Sequence, residues 1–220
     1  EEGQVAKHQL ITDAVHEGGG KICLQILHTG RYSRQENLIA PSPIKSPINR
    51  FVPHDASNEQ IEGEIQAFVD FSIFCQEARY DGVEIMGSEG YFINEFIVKR
   101  TNQRTDQWGG SYENRMRFAL EIVNRTRQAV GKDFILIFRI AAMDMLQGGM
   151  SWEEVVTLAK RIEALGANLI STHFTWHESK VPTIATMVPR AAFTSVTGRL
   201  RRELDIPVIT SNRINMPDVA

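Results

Sequence analysis

Gly82-Val-Glu-Ile-Met-Gly-Ser-Glu-Gly-Tyr91 is the stretch that decides the fold, because a short apolar run ends directly in polar and aromatic side chains. Residues 82–87 have the length and the apolar character of a buried β-strand. Glu89 and Tyr91 follow at the point where that strand ends. The same arrangement recurs along the chain, and it predicts a sheet that collects functional side chains at one edge.

Four further apolar segments complete a set of predicted strands, and helical patterns separate them. Ser57 with Gln60 and Ser151 with Glu154 fit the capping box that begins a helix. Strand and helix alternate strictly, so we expect a parallel sheet, either doubly wound or closed into a barrel. The additional strands are predicted at residues 21–28, 134–140, 168–173 and 207–212, and the other helices at 4–16 and 114–130.

The polar side chains favour the barrel, because barrel enzymes assemble their sites at the carboxyl ends of the strands. The glycine run at 18–20 precedes a strand, whereas the glycine turn of a doubly wound nucleotide fold follows one. A closed barrel has eight strands. We therefore expect an α/β fold in which residues 1–220 form part of one (β/α)8 TIM-barrel domain, covering about strands 3 to 7 and truncated at both ends. The strand-end residues are Gln25, His28, Glu89, Tyr91, Arg139, His173, His177, Asn212 and Arg213.

Charge and composition limit the classes of partner. A net charge of -3 and a pI of about 6.1 leave no global positive field, so we expect neither nucleic acid nor a membrane as the main partner. Cys23 and Cys75 are too far apart for the paired spacing of a zinc or iron–sulfur site, so we expect buried free thiols and no metal. The apolar runs are shorter than a membrane span, which predicts a cytoplasmic protein.

The most specific segment is Arg104-Thr-Asp-Gln-Trp-Gly-Gly-Ser-Tyr-Glu-Asn-Arg-Met-Arg-Phe118. It resembles the hallmark loop-and-helix sequence of the old yellow enzyme family of NADH:flavin oxidoreductases, with Trp108 where most members carry Tyr. Its own chemistry is mainly structural, because Gly109-Gly110 predicts a tight turn and Ser111 a helix cap. We also expect Asp106 to tie the loop down by pairing with an arginine of the following helix, either Arg115 or Arg117.

The resemblance covers nearly the whole chain and is greatest to the bacterial NADPH-dependent 2,4-dienoyl-CoA reductases. Many other members place a His–His or His–Asn pair after the fourth strand, and Met86 and Glu89 stand there instead. The resemblance implies an FMN-dependent oxidoreductase that reduces the activated C=C bond of an enoyl or dienoyl thioester with electrons from NADPH. It also implies a 4Fe-4S cluster and FAD outside this segment. The matching stretches are residues 25–31, 81–96, 176–178 and 210–213.

Three residues are expected to bind FMN. The amide of Gln25 can complement the N–H donor and carbonyl acceptors of a flavin pyrimidine edge, unless it packs in the barrel against backbone. Arg139 lies in an apolar strand, where an arginine needs a partner; the negative charge that reduced flavin acquires near N1 and O2 is one candidate and a structural ion pair another. Arg213 resembles the family arginine that contacts FMN, although an exposed arginine is an alternative.

Tyr91 and His177 are the expected catalytic residues. A phenol is neutral at physiological pH and can protonate the carbanion-like carbon that hydride attack leaves. The resemblance implies that His177 accompanies Tyr91 at the substrate, where it orients the phenol or donates to the substrate carbonyl; an exposed loop histidine is the alternative. For Glu89 a supporting partner and a purely structural hydrogen bond are both open. Two alternatives stay open: another flavoenzyme of the family, such as an NADH oxidase or an amine dehydrogenase, and a barrel without catalysis.

Overall fold

The computed structural model describes residues 2–220, and its central feature is a parallel β-sheet. In chain order the strands are β1 (Cys23–Ile26), β2 (Ile39–Ala40), β3 (His54–Asp55), β4 (Gly82–Gly87), β5 (Ile135–Met143), β6 (Leu169–Phe174) and β7 (Val208–Ile209). Five of them form one parallel sheet in the order β1-β4-β5-β6-β7, while β2 and β3 pair separately. The five predicted strands and their parallel arrangement are therefore confirmed.

Helices connect the strands and cover one face of the sheet. The predicted caps are present: the Ser57 and Ser151 boxes are complete, and the Ser111 side chain accepts a hydrogen bond from the Asn114 N–H. Each cap satisfies backbone donors that the first helical turn leaves unpaired. The helices are α1 (Glu2–Glu17), α2 (Asn58–Glu77), α3 (Phe92–Ile97), α4 (Tyr112–Val130), α5 (Trp152–Ala164) and α6 (Thr194–Arg201), with a 3-10 turn at Gly30–Tyr32.

The two faces of the sheet differ in polarity. Successive side chains of a strand point to opposite faces, so one set packs under the helices and the other set does not. Val83, Ile85 and Phe138 are completely buried on the helical side. Gln25 is exposed and Glu84 and Arg139 are half-buried on the other side, which we call the inner face. The core therefore lies between sheet and helices, and the inner face is left for polar chemistry.

Strand bounds differ from the prediction where pairing, rather than composition, decides them. Residues 21–28 and 207–212 yield only the short strands β1 and β7, which each pair with a single neighbour among the described residues. β5 extends beyond residue 140, because residues 141–143 continue to pair with β6 across an irregularity in register. Cys75 is buried as expected, but Cys23 is only half-buried and both are free thiols.

The predicted partner of Asp106 is wrong. Its carboxylate accepts hydrogen bonds from Arg104, which lies two residues away across the loop, with Nη2 at 2.5 Å and Nε at 3.1 Å. Arg115 is buried instead, where it donates to the Ile97 and Gly110 carbonyls and to Glu154. The loop is therefore closed by a local pair, while the helix arginine serves the packing of α4 on α5. Among the described residues, no helix has the length and apolarity needed to cross a membrane.

Candidate active site

The structure brings the two predicted catalytic residues together. The Tyr91 hydroxyl lies 2.8 Å from His177 Nε2, and the two ring centroids are 5.0 Å apart in an edge-on arrangement. Tyr91 precedes the first turn of α3, just beyond β4, and His177 follows β6. Because the carboxyl ends of parallel strands meet at one edge of a sheet, residues far apart in sequence form one donor–acceptor pair.

A strained turn at Glu89 and Gly90 positions Tyr91 next to His177. Glu89 and Gly90 both have positive φ, at 67° and 85°. A Cβ on Gly90 would lie 2.4 Å from Trp176 Cε3 and 2.5 Å from the Tyr32 hydroxyl, so only glycine allows the chain to pass there. Non-glycine residues such as Glu89 adopt positive φ at a cost and concentrate at functional sites.

Glu89 joins the Tyr91–His177 pair to the inner face. One carboxylate oxygen lies 3.4 Å from Arg139 Nε and 3.2 Å from His173 Nδ1, and the other lies 3.4 Å from His177 Nε2. Its side chain is only 14% exposed, so these contacts are little screened by water. Glu89 thus lies between the Arg139 guanidinium and the imidazoles of His173 and His177.

Arg139 lies at the centre of the inner face. Its Nη1 donates to Ser171 Oγ at 3.1 Å, its Nη2 lies 2.8 Å from His173 Nδ1, and Glu84 lies 3.8 Å away. Burial, followed by the positive charges of Arg139 and His177, lowers the pKa of His173 to about 3. His173 is therefore neutral, and its Nδ1 accepts from Arg139 rather than donating to Glu89.

Gln25 lies on the same face, next to a carboxylate that sequence reasoning missed. The Gln25 amide nitrogen donates to Glu84 Oε2 at 2.6 Å, and the two residues are register partners on β1 and β4. Gln25, Glu84 and Arg139 therefore form a continuous polar row across three strands. The signal for Glu84 in the sequence is a charged residue inside an apolar strand, as it is for Arg139.

Arg213 stands apart from these residues. It has a positive φ of 61° just after β7, and its Nε donates to the Val188 carbonyl at 2.9 Å. Its own carbonyl accepts from the Ala191 N–H. In the described part of the chain its hydrogen bonds therefore hold a loop and do not reach Gln25 or Arg139.

A cleft of about 210 Å³ opens beside the cluster. Burial, and then the negative charge of Glu89, raise the pKa of Tyr91 above its ordinary value. Tyr91 therefore keeps its proton at physiological pH, and its hydroxyl pairs with His177, which lines the cleft. The lining includes Glu89, His173, Thr175, Trp176, His177 and Thr183.

Three residues beside the pair were not selected as site residues from the sequence. Tyr32 places its ring centroid 5.8 Å from Tyr91 and 5.6 Å from His177. Arg31 and Glu178 form an ion pair with side chains that are 2% and 1% exposed. Both lie inside stretches that the family resemblance had marked, but their contact depends on how two distant loops meet.

Known proteins of similar sequence cover nearly the whole chain. The model of the NADH:flavin oxidoreductase / NADH oxidase family matches residues 1–220. A metal reductase of Desulforamulus reducens is 37% identical over 96% of this chain, and an NADH oxidase of Thermoanaerobacter brockii is 36% identical over 96%. These matches cover 32% and 33% of the two relatives, so the chain spans about a third of their length.

Solved structures show the same fold. A 2-naphthoyl-CoA reductase in complex with 2-naphthoyl-CoA superposes with a TM-score of 0.95 at 31% identity, covering 100% of this chain and 36% of that one. The old yellow enzyme homologue from Zymomonas mobilis gives a TM-score of 0.81 at 24% identity, covering 98% of this chain and 63% of that one. These are TIM-barrel proteins, and the predicted barrel fold is confirmed.

Proposed function

The chain belongs to the NADH:flavin oxidoreductase / NADH oxidase family, and on that premise we propose that it forms part of an FMN-dependent enzyme that reduces an activated C=C bond. The proposed substrate is an enoyl or dienoyl thioester, and the proposed electron donor is NADPH. One observation carries the proposal: Tyr91 and His177 form a 2.8 Å donor–acceptor pair beside the polar face that carries Gln25 and Arg139.

The chemistry of the inner face fits FMN. Glu84 accepts from the Gln25 amide nitrogen, which leaves the amide oxygen for the N–H of a flavin pyrimidine edge. Arg139 would supply positive charge to balance the negative charge that a bound flavin gains on reduction. Arg213 is proposed for the phosphate, because the loops after the seventh and eighth strands bind phosphate in such barrels. The Nη atoms of Arg213 are available for that contact, since it is Nε that donates to the Val188 carbonyl.

Tyr91 and His177 would carry out the acid step of the reaction. Bound FMN supplies the two-electron redox chemistry. Tyr91 then gives its proton to the substrate carbon that gains negative charge, and the raised pKa keeps that proton in place until it is needed. His177 orients the phenol and can return a proton to it, while Glu89 at 3.4 Å stabilises the imidazole when it is protonated.

A thioester substrate is supported by two observations. The solved relative at 31% identity is a 2-naphthoyl-CoA reductase in complex with its CoA thioester. The residues at 176–178 resemble the dienoyl-CoA reductase pattern, and here they place His177 at Tyr91. An unsaturated acyl-CoA and NADPH are therefore the proposed small-molecule partners.

A second candidate is a different activity on the same flavin site. One relative, 32% identical over 96% of this chain, is an N,N-dimethylglycine/sarcosine dehydrogenase of Chromohalobacter salexigens. Such an enzyme would oxidise an amine instead of reducing an alkene. Alkene reduction requires a proton donor to carbon, and Tyr91 paired with His177 can supply that proton, so the reductase is the first candidate.

We further propose that residues 1–220 are one part of a single FMN-binding barrel domain. The single-sided pairing of β1 and β7 and the threefold greater length of the relatives support this. A 4Fe-4S cluster and FAD are proposed to lie in other parts of a full-length protein, and its proposed location is the cytoplasm.

The proposal is tested with the full-length protein loaded with FMN and reduced by NADPH under anaerobic conditions. Flavin absorbance is then followed after mixing with a 2,4-dienoyl-CoA. We expect rapid reoxidation together with loss of the dienoyl chromophore. Reoxidation by dienoyl-CoA no faster than by buffer, with reduction of the oxidised protein by sarcosine, would contradict the reductase and favour the amine dehydrogenase.

A further inference from the structure

Arg31 and Glu178 form a buried ion pair that links two loops of the site. Their side chains are 2% and 1% exposed, and Arg31 Nη2 donates to Glu178 Oε1. Arg31 lies in the turn after β1, and Glu178 lies in the loop after β6. Removing two charges from water is costly, and a buried ion pair is often no more stabilising than apolar residues of the same size. Stability alone therefore does not account for this pair.

The neighbours of the pair in sequence are residues of the active site. Tyr32 follows Arg31, and His177 precedes Glu178. The three rings of Tyr32, Tyr91 and His177 contact one another edge to face, with centroids 5.0 to 5.8 Å apart. The ion pair therefore bridges the two loops that carry Tyr32 and His177. Glu178 Oε1 also lies 3.9 Å from Arg100 Nε, and the His177 N–H donates to the Glu89 carbonyl at 3.3 Å.

Both loops are anchored around the arginine. The Arg31 backbone N–H donates to Glu95 Oε1 at 2.8 Å, and Asn49 donates to the Arg31 carbonyl at 2.8 Å. The guanidinium carbon lies 5.7 Å from the Trp176 ring centroid, which fits a cation–π contact. Arg31 is thus fixed on its own side and holds the 176–178 segment through both the ring and the carboxylate.

The network around the pair is incompletely hydrogen-bonded. In the described part of the chain, Arg31 Nε, Glu178 Oε2 and the Tyr32 hydroxyl are buried without hydrogen-bond partners. A partly satisfied buried network costs stability relative to an apolar core. This arrangement favours a geometric role over a stabilising one.

We propose that Arg31 and Glu178 are positioning residues that hold His177 within hydrogen-bonding reach of Tyr91. They act through His177 and touch neither substrate nor flavin. The kinetic test rests on the proposed function, because it measures alkene reduction, whereas the placement of His177 is tested independently of any substrate.

The kinetic test uses Glu178→Gln in the full-length protein loaded with FMN. The substitution keeps the shape of the side chain and removes its charge. We expect NADPH to reduce the flavin at the normal rate, while reoxidation by a 2,4-dienoyl-CoA slows by about 10- to 100-fold, as small misplacements of catalytic groups do. In a His177→Ala background the same substitution should have almost no further effect, because the residue through which it acts is gone.

Two further variants make the result interpretable. Arg31→Lys keeps the charge but loses the planar fork, so it should show a smaller loss of the same half-reaction, and it applies the same test if Glu178→Gln does not fold. Glu154→Gln is the matched control, because it neutralises the partner of the buried Arg115 at 2.7 Å and still completes the Ser151 capping box. It should leave both half-reactions unchanged.

The outcomes separate the two claims. Wild-type protein that dienoyl-CoA cannot reoxidise would contradict the proposed function alone. A wild-type reoxidation rate in both Glu178→Gln and Arg31→Lys, or an undiminished loss in the His177→Ala background, would overturn the positioning role. Crystal structures give the test without substrate: the variant should show the Tyr91–His177 distance lengthened beyond about 3.5 Å. An unchanged distance would also overturn the proposal.

Discussion

Gln25 and Glu84 are register partners on neighbouring strands, and the Gln25 amide donates to the Glu84 carboxylate at 2.6 Å. Because the amide nitrogen is used in this contact, the amide oxygen of Gln25 is left for a ligand. The negative charge of Glu84 lies 3.8 Å from Arg139. The charge balance of the inner face therefore depends on Glu84 and Glu89 as well as on the arginine between them.

Arg139→Met should lower the reduction potential of bound FMN and weaken FMN binding, because it removes the positive charge that favours the reduced cofactor. We expect a shift of about 30 mV or more, equivalent to about 1.4 kcal/mol for a two-electron couple. Arg139→Lys should rescue the potential only in part, since a point charge does not reproduce the planar fork. Potentiometric titration measures this. An unchanged potential in Arg139→Met would mean that the arginine does not face the flavin.

Glu84→Gln should shift the potential in the opposite direction. It removes a negative charge beside Arg139 while keeping an oxygen that can accept from Gln25, so the reduced cofactor should become more stable. The same titration, run beside Arg139→Met, checks the sign. Shifts of the same sign in the two variants would contradict the electrostatic account of the inner face.

Gly90→Ala tests how closely the backbone at Gly90 approaches the Trp176 ring. A Cβ there would meet Trp176 at 2.4 Å, whereas Gly19 has a φ of 75° with nothing within 4 Å of an added Cβ. Gly19→Ala should therefore cost only the strain of positive φ, about 1–2 kcal/mol. Gly90→Ala should add an overpacking cost of about 1–3 kcal/mol. Urea unfolding of the two variants measures the difference, and equal losses would show that the turn relaxes freely.

Glu95 should make stability depend on pH. It is fully buried, and burial raises its pKa to about 8, against about 4.3 for an exposed glutamate. The folded state therefore holds a proton that the unfolded state releases above about pH 4.3, and stability falls as pH rises toward 8. Glu95→Gln should flatten this part of the profile of melting temperature between about pH 5 and 8. A parallel profile in wild type and variant would show that Glu95 is already ionised when folded.

The strands were predictable because the side chains that face the helices are apolar and the residues at the carboxyl ends of the strands are polar. Residues 82–87 were placed correctly, since β4 is paired on both sides. The ends of β1 and β7 were not, because pairing at a sheet edge depends on neighbours that composition does not reveal. The short helix at Phe92–Ile97 was missed, because all six of its residues are buried and show no amphipathic period.

The residues of the candidate site could be predicted individually, but most of their contacts could not. Residue chemistry and family resemblance selected Tyr91, His177, Gln25 and Arg139, and the structure brings the first two into contact. The partners Glu84, Arg31 and Glu178 depend on strand register and on how distant loops meet, which no local pattern encodes. Asp106 fails for a different reason, because its partner is the nearby Arg104 in its own loop and not an arginine of the following helix.

The most direct test of the central claim is Tyr91→Phe in the full-length protein loaded with FMN, with the two half-reactions recorded separately by stopped-flow absorbance. The substitution keeps the ring and deletes only the proton donor. Flavin content and the rate of reduction by NADPH should stay near normal, while reoxidation by a 2,4-dienoyl-CoA should slow by about 10²- to 10⁴-fold, the usual contribution of a positioned acid. Reoxidation of Tyr91→Phe at the wild-type rate would show that the proton comes from another group, and the assignment of Tyr91 would be wrong.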